Sequence, residues 1–189
     1  MLKVLVTFAV KEELVEINWP DAELYYLRTG IGKVKSAFRL ADAINQVQPD
    51  LVLNFGTAGT IKHQVGDILV CRKFVDRDMQ KIKDLGLECE IDSSELLTQK
   101  DFCAAWGNTA TCNTGDSFLT ELVDVDGDAV DMEAFAQAFV CRDKEVPFIS
   151  VKYVTDVIGQ NSVAHWEDKL ADARMGLSEF FNVLHKGVQ

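Results

Sequence analysis

Continuous apolar runs occur at four places along the chain and predict strands that are buried on both faces of a sheet. Half-exposed strands would instead alternate apolar and polar residues. The runs cover residues 2–10, Leu51–Phe55, Ile68–Val70 with an extension towards Val75, and Phe148–Val154. We therefore expect at least four core strands.

Between these runs, apolar residues recur at steps of three and four, which is the period of an amphipathic helix. The segments are Gly32–Val47, Met132–Cys141 and a long C-terminal helix that includes Trp166 to Leu184. Strands that alternate with helices predict the α/β class, as a three-layer α/β/α sandwich with a mostly parallel or mixed central sheet. The 189 residues suffice for one such core and no linker divides them, so we expect a single domain over 1–189.

The formal net charge of −11 narrows the choice of partners. Such a negative charge repels polyanions, so neither nucleic acid nor an acidic membrane surface is an expected partner, whereas the binding of a small neutral ligand is unaffected.

The five cysteines and three histidines lack the spacing of a zinc site or a disulfide framework. No apolar stretch approaches the roughly 20 residues of a membrane span. We expect a soluble, cytoplasmic protein without a metal site.

Three acidic residues follow predicted strands or begin a predicted helix, in the region where open α/β sheets bind ligands. Glu13 suits a general base in a partly dry site, or a helix start favoured by the helix dipole. Glu133 suits a carboxylate that accepts from two vicinal sugar hydroxyls, or a helix cap together with Asp131. Asp156 suits a proton donor to a leaving group, or the opening of a loop before Gly159. The residues alone leave these alternatives open.

The segment Asn54–Thr60 follows the second predicted strand and combines small residues with neutral hydrogen-bonding groups. Gly56 and Gly59 permit a close approach of the backbone to a ligand, and Thr57 offers a hydroxyl. The glycine spacing matches neither a dinucleotide-binding fingerprint nor a phosphate-binding loop. A ligand-binding strand end and a tight structural turn are both compatible with this pattern.

Seven motifs, taken together and in order, resemble the nucleoside phosphorylase superfamily, and most closely its methylthioadenosine/S-adenosylhomocysteine nucleosidases. The resemblance extends from residue 1 to about residue 185. The motifs are the segment from Ala9 to Glu13, Thr29-Gly30-Ile31-Gly32-Lys33, Asn54-Phe55-Gly56-Thr57-Ala58-Gly59, Val65-Gly66-Asp67-Ile68, Thr114-Gly115-Asp116-Ser117-Phe118, Val130-Asp131-Met132-Glu133-Ala134 and Val154-Thr155-Asp156-Val157.

The resemblance implies an N-ribosyl hydrolase that cleaves the N-glycosidic bond of a purine nucleoside, 5′-methylthioadenosine and/or S-adenosylhomocysteine, and releases adenine. In that family an acid at the position of Glu13 activates water, the residue matching Glu133 holds the ribose 2′ and 3′ hydroxyls, and the residue matching Asp156 protonates purine N7. No metal or organic cofactor is expected, because carboxyl groups can protonate the base and stabilise an oxocarbenium-like sugar. A homodimer is expected on the same resemblance.

Five further residues match positions that bind the substrate in the family. Met132 corresponds to a residue that packs on the sugar, and Phe118 to an aromatic residue that stacks on the base. The hydroxyl of Thr155 is expected to assist the acid beside it, and Trp166 to close the far end of the pocket. Thr57 stands where related nucleosidases usually have Ser.

Two other features depart from the family pattern. Lys152 stands where related nucleosidases usually have Arg, and an ammonium group cannot make the bidentate contacts of a guanidinium. The stretch between Glu13 and Gly30 lacks room for the hairpin that longer members have. We expect the lysine to change any bidentate contact made at that position, and the shorter stretch to widen the site or alter a subunit contact.

Three other functions are compatible with the resemblance. A phosphorylase would need an anion pocket; Arg28 and Lys33 lie near a glycine turn, but Asn54 stands where phosphorylases tend to have Arg, and Glu13 would repel phosphate. A hydrolase of futalosine or another 6-substituted purine nucleoside would use Asp156 equally well. A binding protein without catalysis would be expected to have lost at least one of the three acids. We therefore favour hydrolysis.

Overall fold

A mixed β-sheet forms the centre of the molecule. The computed structural model describes residues 1–100, 102, 106, 109–160 and 162–186, and eight strands lie within these ranges. The strands are β1 (Leu2–Phe8), β2 (Ala22–Arg28), β3 (Leu51–Thr60), β4 (Ile68–Asp76), β5 (Glu90–Asp92), β6 (Ala110–Thr114), β7 (Ala129–Asp131) and β8 (Phe148–Val157).

Parallel and antiparallel pairings both occur in this sheet. β1 is parallel to β2 and β3, and β3 is parallel to β8. β8 is antiparallel to β4, which is parallel to β6 and antiparallel to β5. β7 is parallel to β6 and meets β3 at the Gly59–Val130 pair. The mixed sheet agrees with the predicted class.

Helices connect the strands and cover both faces of the sheet. They are α1 (Lys33–Val47), α2 (Arg77–Gln80), α3 (Ser94–Gln99), α4 (Ala134–Asp143) and α5 (Ser162–Lys186), with short 3-10 turns at Lys11–Glu13 and Lys83–Leu85. The three helices predicted from apolar periodicity are α1, α4 and α5, with bounds shifted by a few residues. No helix in the described ranges is both long and apolar enough to cross a membrane.

Neighbouring strand residues belong to two different hydrophobic clusters, one on each side of the sheet. Leu5 and Val52 pack in the cluster that contains residues of α1 and α4. Val4 and Leu53 pack in the cluster that contains residues of α5. Successive side chains of a strand point to opposite faces, so both faces of these strands are buried. This arrangement explains the continuous apolar runs and confirms the predicted three-layer α/β sandwich.

Three predicted strands had wrong ends. The first strand was predicted over residues 2–10, but β1 ends at Phe8. The amides of Ala9 and Val10 donate instead to the Glu13 carboxylate, at 3.2 and 3.3 Å. β3 was predicted too short, because the small residues near its end have low strand propensity. β8 was also predicted too short, with its end at Val154. Parallel pairing between these two strands extends them to Thr60 and Val157.

Four strands were not predicted at all. β2 lies within the short stretch after Glu13 and pairs with the edge of β1 along its whole length. β5 and β7 have three residues each, which is too short for a periodic pattern. β6 lies at the end of the region of weak periodicity, residues 76–112, and pairs with both β4 and β7. Pairing with distant strands, rather than local pattern, forms these elements.

Candidate active site

The carboxyl ends of β1, β3 and β8 meet at one edge of the sheet, because the three strands are parallel neighbours. A cavity of about 320 Å³ lies at this edge. Its acidic lining residues are Glu13, Asp131, Glu133 and Asp156, and no Lys, Arg or His is among the described residues that line it. Elsewhere the wall is mostly apolar, so the cavity suits a largely neutral ligand with a few hydrogen-bonding groups.

Four donors hold the Glu13 carboxylate in place. Its Oε1 accepts from the Thr57 amide at 2.9 Å and from the Thr57 hydroxyl at 2.6 Å. Its Oε2 accepts from the amides of Ala9 and Val10. The Thr57 hydroxyl in turn accepts from Trp166 Nε1 at 2.9 Å. Glu13 is only 6% exposed, so this is a fixed carboxylate in a nearly dry position.

Glu133 lies directly before α4 on the same cavity. Its Oε1 accepts a hydrogen bond from the Gly32 amide at 2.9 Å. Burial raises the pKa of Glu133 to about 8, with a further contribution from the negative charge of Asp131, while the Lys152 ammonium opposes both effects. The group is therefore poised to bind or release a proton near neutral pH.

A buried ion pair joins Asp131, which lines the cavity, to Lys152 on β8. Lys152 Nζ is 2.8 Å from Asp131 Oδ2, and both side chains are at most 2% exposed. Asp131 also accepts from the Thr114 hydroxyl at 2.6 Å and from the Ala134 amide at 2.9 Å. Burial alone would raise the pKa of Asp131, but the Lys152 ammonium and these hydrogen bonds hold it below its usual value. Asp131 is thus a fixed negative charge.

Asp156 lies near the end of β8 and is 2% exposed. The Thr155 hydroxyl is 2.8 Å from Asp156 Oδ1. A Cβ atom added to Gly59 on the neighbouring strand would lie 3.0 Å from Asp156 Oδ2, so a larger residue there would crowd the carboxyl group. The absence of a side chain at Gly59 leaves the space that the Asp156 carboxyl group occupies.

Aromatic rings close one side of the cavity. The rings of Phe118 and Trp166 meet edge to face, with centroids 6.4 Å apart. Both residues line the cavity together with Met132. Such flat apolar surfaces are suited to a purine base or the apolar face of a sugar.

The structure brings seven of the eight predicted site residues to one cavity: Glu13, Thr57, Phe118, Met132, Glu133, Asp156 and Trp166. Thr155 does not line the cavity and lies behind Asp156, fully buried. Sequence reasoning did not select Ile31, Ser117 or Val163, which also line the cavity. Ile31 and Ser117 lie within the seven motifs, whereas the lining residues Leu119, Ile158 and Val163 lie outside them. Within the described ranges, no group of three or more His, Cys, Asp or Glu side chains is placed to hold a metal ion.

A family model described as the phosphorylase superfamily matches residues 8–100 and 108–186. The chain belongs to this superfamily. It is 30% identical to the 5′-methylthioadenosine/S-adenosylhomocysteine nucleosidase of Anoxybacillus flavithermus, in an alignment covering 86% of this chain and 80% of that protein. Among solved structures, a nucleosidase of the same name from Helicobacter pylori matches with a TM-score of 0.80 and 17% identity, over 99% of both chains. A futalosine hydrolase mutant from the same organism matches with a TM-score of 0.80 and 16% identity, over 99% of this chain and 100% of that one.

Both solved structures share the fold of this superfamily member. At 17% and 16% identity, these two matches concern the fold and not the substrate. The relative from Anoxybacillus is the more informative one, because its identity is higher over most of both chains.

Proposed function

We propose that this superfamily member hydrolyses the N-glycosidic bond of a purine nucleoside, with 5′-methylthioadenosine and/or S-adenosylhomocysteine as substrate and adenine as a product. The observation that supports this most is the convergence of three buried carboxyl groups, Glu13, Glu133 and Asp156, on one largely apolar cavity. The names of the curated relatives supply the substrate class.

Glu13 is proposed as the general base. Water attacks the anomeric carbon, the bond from that carbon to the base breaks, and Glu13 accepts a proton from the water. A base has to be oriented as well as deprotonated, and the four hydrogen bonds to Glu13 supply that orientation. The negative charge of Glu13 would also stabilise the positive charge that develops on the sugar.

Asp156 is proposed as the proton donor to purine N7, with Thr155 supporting it from behind. Departure of an unprotonated purine anion is slow, so a donor at the base end of the cavity is required. Asp156 lines the same cavity as Phe118 and Trp166. We assign Phe118 to stacking on the base and Trp166 to closing the far end of the pocket. Thr57 is proposed as a substrate-binding residue, because it lines the cavity beside the Glu13 carboxylate.

Glu133 and Met132 are proposed to bind the ribose, with Glu133 accepting from the 2′ and 3′ hydroxyls and Met132 packing on the ring. Two donated hydroxyl hydrogens stabilise the carboxylate over the carboxylic acid. Since the pKa of Glu133 is raised to about 8 in the unliganded protein, nucleoside binding near neutral pH would release a proton.

The charges around the cavity favour water over phosphate as the attacking group. None of the described residues that line the cavity is Lys, Arg or His. Lys33 is engaged with Asp76 and Asp78, and Lys152 with Asp131. Asn54, at the position where phosphorylases tend to have Arg, is buried and hydrogen-bonded to Ser150. Phosphate would therefore meet four acidic residues without a facing cation.

A homodimer and a cytoplasmic location are part of the proposal. Val34 and Phe38 are 78% and 76% exposed on the outer face of α1, close to the cavity-lining Ile31, and such an apolar patch is typical of an interface.

Four cysteines, Cys71, Cys89, Cys112 and Cys141, are free and buried, as expected in a reducing compartment. We also propose that residues 1–189 act as a single domain.

Incubation with 5′-methylthioadenosine, with and without phosphate, tests the proposed reaction. Chromatography should detect adenine and free methylthioribose in both buffers. Strict dependence on phosphate, with a sugar 1-phosphate as product, would show phosphorolysis instead. If no adenine appears in either buffer, futalosine and other purine nucleosides are tested next, and tight binding without turnover of any of them would indicate a binding protein.

A further inference from the structure

Residues 115–119, called here the Phe118 loop, supply three neighbouring side chains to the cavity wall: Ser117, Phe118 and Leu119. The loop follows β6 and has no helical or strand structure. Phe118 is 41% exposed, although its ring meets Trp166. A ring that is exposed to this extent depends on the backbone of its loop for its position.

The guanidinium of Arg77, at the start of α2, spans the base of the Phe118 loop. Its Nη1 donates to the backbone oxygen and to the side-chain oxygen of Asn113, at 3.3 and 3.1 Å. Its Nη2 donates to the backbone oxygen of Ser117 at 2.9 Å. Arg77 thus connects a residue of β6 with the residue directly before Phe118. A Cβ atom added to Gly115 would lie 2.5 Å from Nη2, so the guanidinium lies directly against that glycine.

The next residue of α2, Asp78, attaches the same loop to the start of α1. Asp78 Oδ2 accepts from the Asp116 amide at 3.0 Å and from Lys33 Nζ at 2.7 Å. Asp116 Oδ1 accepts from the Lys33 amide at 2.8 Å. The preceding residue, Gly32, donates to Glu133. The Phe118 loop is therefore joined to the turn that contacts the Glu133 carboxylate.

We propose that Arg77 is a positioning residue that fixes Phe118 against the purine base by holding Ser117, the residue directly before Phe118, to Asn113 of β6. The proposal rests on the proposed function, since the role of Phe118 is assigned there. Arginine suits this positioning role because its planar guanidinium donates several hydrogen bonds in fixed directions. Lysine at this position would keep the positive charge but lose the planar set of guanidinium donors.

Loss of Arg77 should weaken substrate binding without changing the chemical step. A stacking contact made equally in the bound substrate and in the transition state affects KM and leaves kcat unchanged. Because Arg77 acts through Phe118, its removal should have no further effect once the Phe118 ring is gone. A residue that only stabilises the fold would not show this dependence on Phe118.

The test measures kcat and KM for 5′-methylthioadenosine in wild type, Arg77→Met, Phe118→Ala and the double variant. Arg77→Met should raise KM up to about tenfold, and no more than Phe118→Ala does, because the loss is that of the stacking contact with the base; kcat should be retained. Arg77→Lys should give a smaller increase. Lys81→Met, which removes the same charge from an exposed residue after α2, should behave as wild type. In the Phe118→Ala background, Arg77→Met should leave KM unchanged.

Amide hydrogen exchange of residues 115–119 gives a readout that does not require turnover. Exchange there should be faster in Arg77→Met than in wild type, and β8 should exchange at the same rate in both. Gly115→Ala, which displaces the guanidinium, should give the same result if Arg77→Met does not fold. Wild-type exchange in these variants, or an equal rise in KM with and without Phe118, would overturn the proposal. If wild type releases no adenine, the proposed function has failed, and the exchange rates still decide whether Arg77 holds the loop.

Discussion

Glu133 is buried beside a second acidic residue, Asp131, and its pKa is raised for both reasons. Desolvation contributes most to its raised pKa, and Asp131 adds repulsion because that carboxyl group stays ionised beside Lys152. The sequence placed Asp131 and Glu133 together at a helix start, but it gave no sign that Lys152 would pair with Asp131. That contact forms only because β7 and β8 both lie beside β3.

Glu133→Gln should change how stability depends on pH. The folded-state pKa of about 8 lies above the ordinary value of 4.5, so the stability that the bound proton contributes is fully present below the ordinary value and is lost as the pH rises through about 8. The glutamine variant has no such loss. Relative to wild type, it should gain about 2–5 kcal/mol of unfolding free energy between about pH 5 and about pH 9. Urea unfolding at both pH values measures this gain, and equal differences at the two values would contradict it.

Lys152→Met should destabilise the fold by about 3–5 kcal/mol, because it leaves the buried Asp131 carboxylate without its partner. Thermal or urea unfolding measures the loss. Lys169→Met is the matched control, since Lys169 forms an ion pair with Asp172 on the surface of α5. The control should barely change the unfolding midpoint. Similar losses in both variants would show that the buried pair has no special role.

Among the helices and strands, long patterned segments could be predicted from the sequence and short ones could not. α1 and α5 follow from periodicity, and the core parts of β3 and β8 from continuous apolar residues. β5 and β7 form through pairing with strands that are distant in sequence, which a local pattern cannot show. The site followed the same rule: motif residues such as Glu13 could be found from the resemblance, whereas Val163 reaches the cavity only through the placement of α5.

The outer face of α1 gives a prediction about assembly. Phe38 and Val34 are exposed one helical turn apart, which is unfavourable for a monomer in water. Light scattering after size-exclusion chromatography should give wild type twice the mass of one chain, and Phe38→Glu should shift the protein towards the monomer. Met175→Glu, at a 61% exposed position on α5, is the control and should stay dimeric. A monomeric wild type would refute the interface.

The charge of the protein and the composition of its cavity favour the same kind of ligand. The net charge of −11 and the acidic cavity both disfavour polyanions and free phosphate, and neither disfavours a neutral nucleoside. The sheet supplies the carboxyl groups from the ends of separate strands and from the start of α4. The proposed hydrolysis depends on that convergence, rather than on any single motif.

Adenine release from 5′-methylthioadenosine by wild type and by Glu13→Gln, in phosphate-free buffer, tests whether the protein hydrolyses the nucleoside with Glu13 as the base. Glutamine preserves the size of the side chain but cannot accept the proton of the attacking water. Wild type should release adenine, and Glu13→Gln should be slower by a factor of roughly a hundred or more while binding the nucleoside with similar affinity. Equal rates in the two proteins would contradict the assignment of Glu13 as the base that activates water.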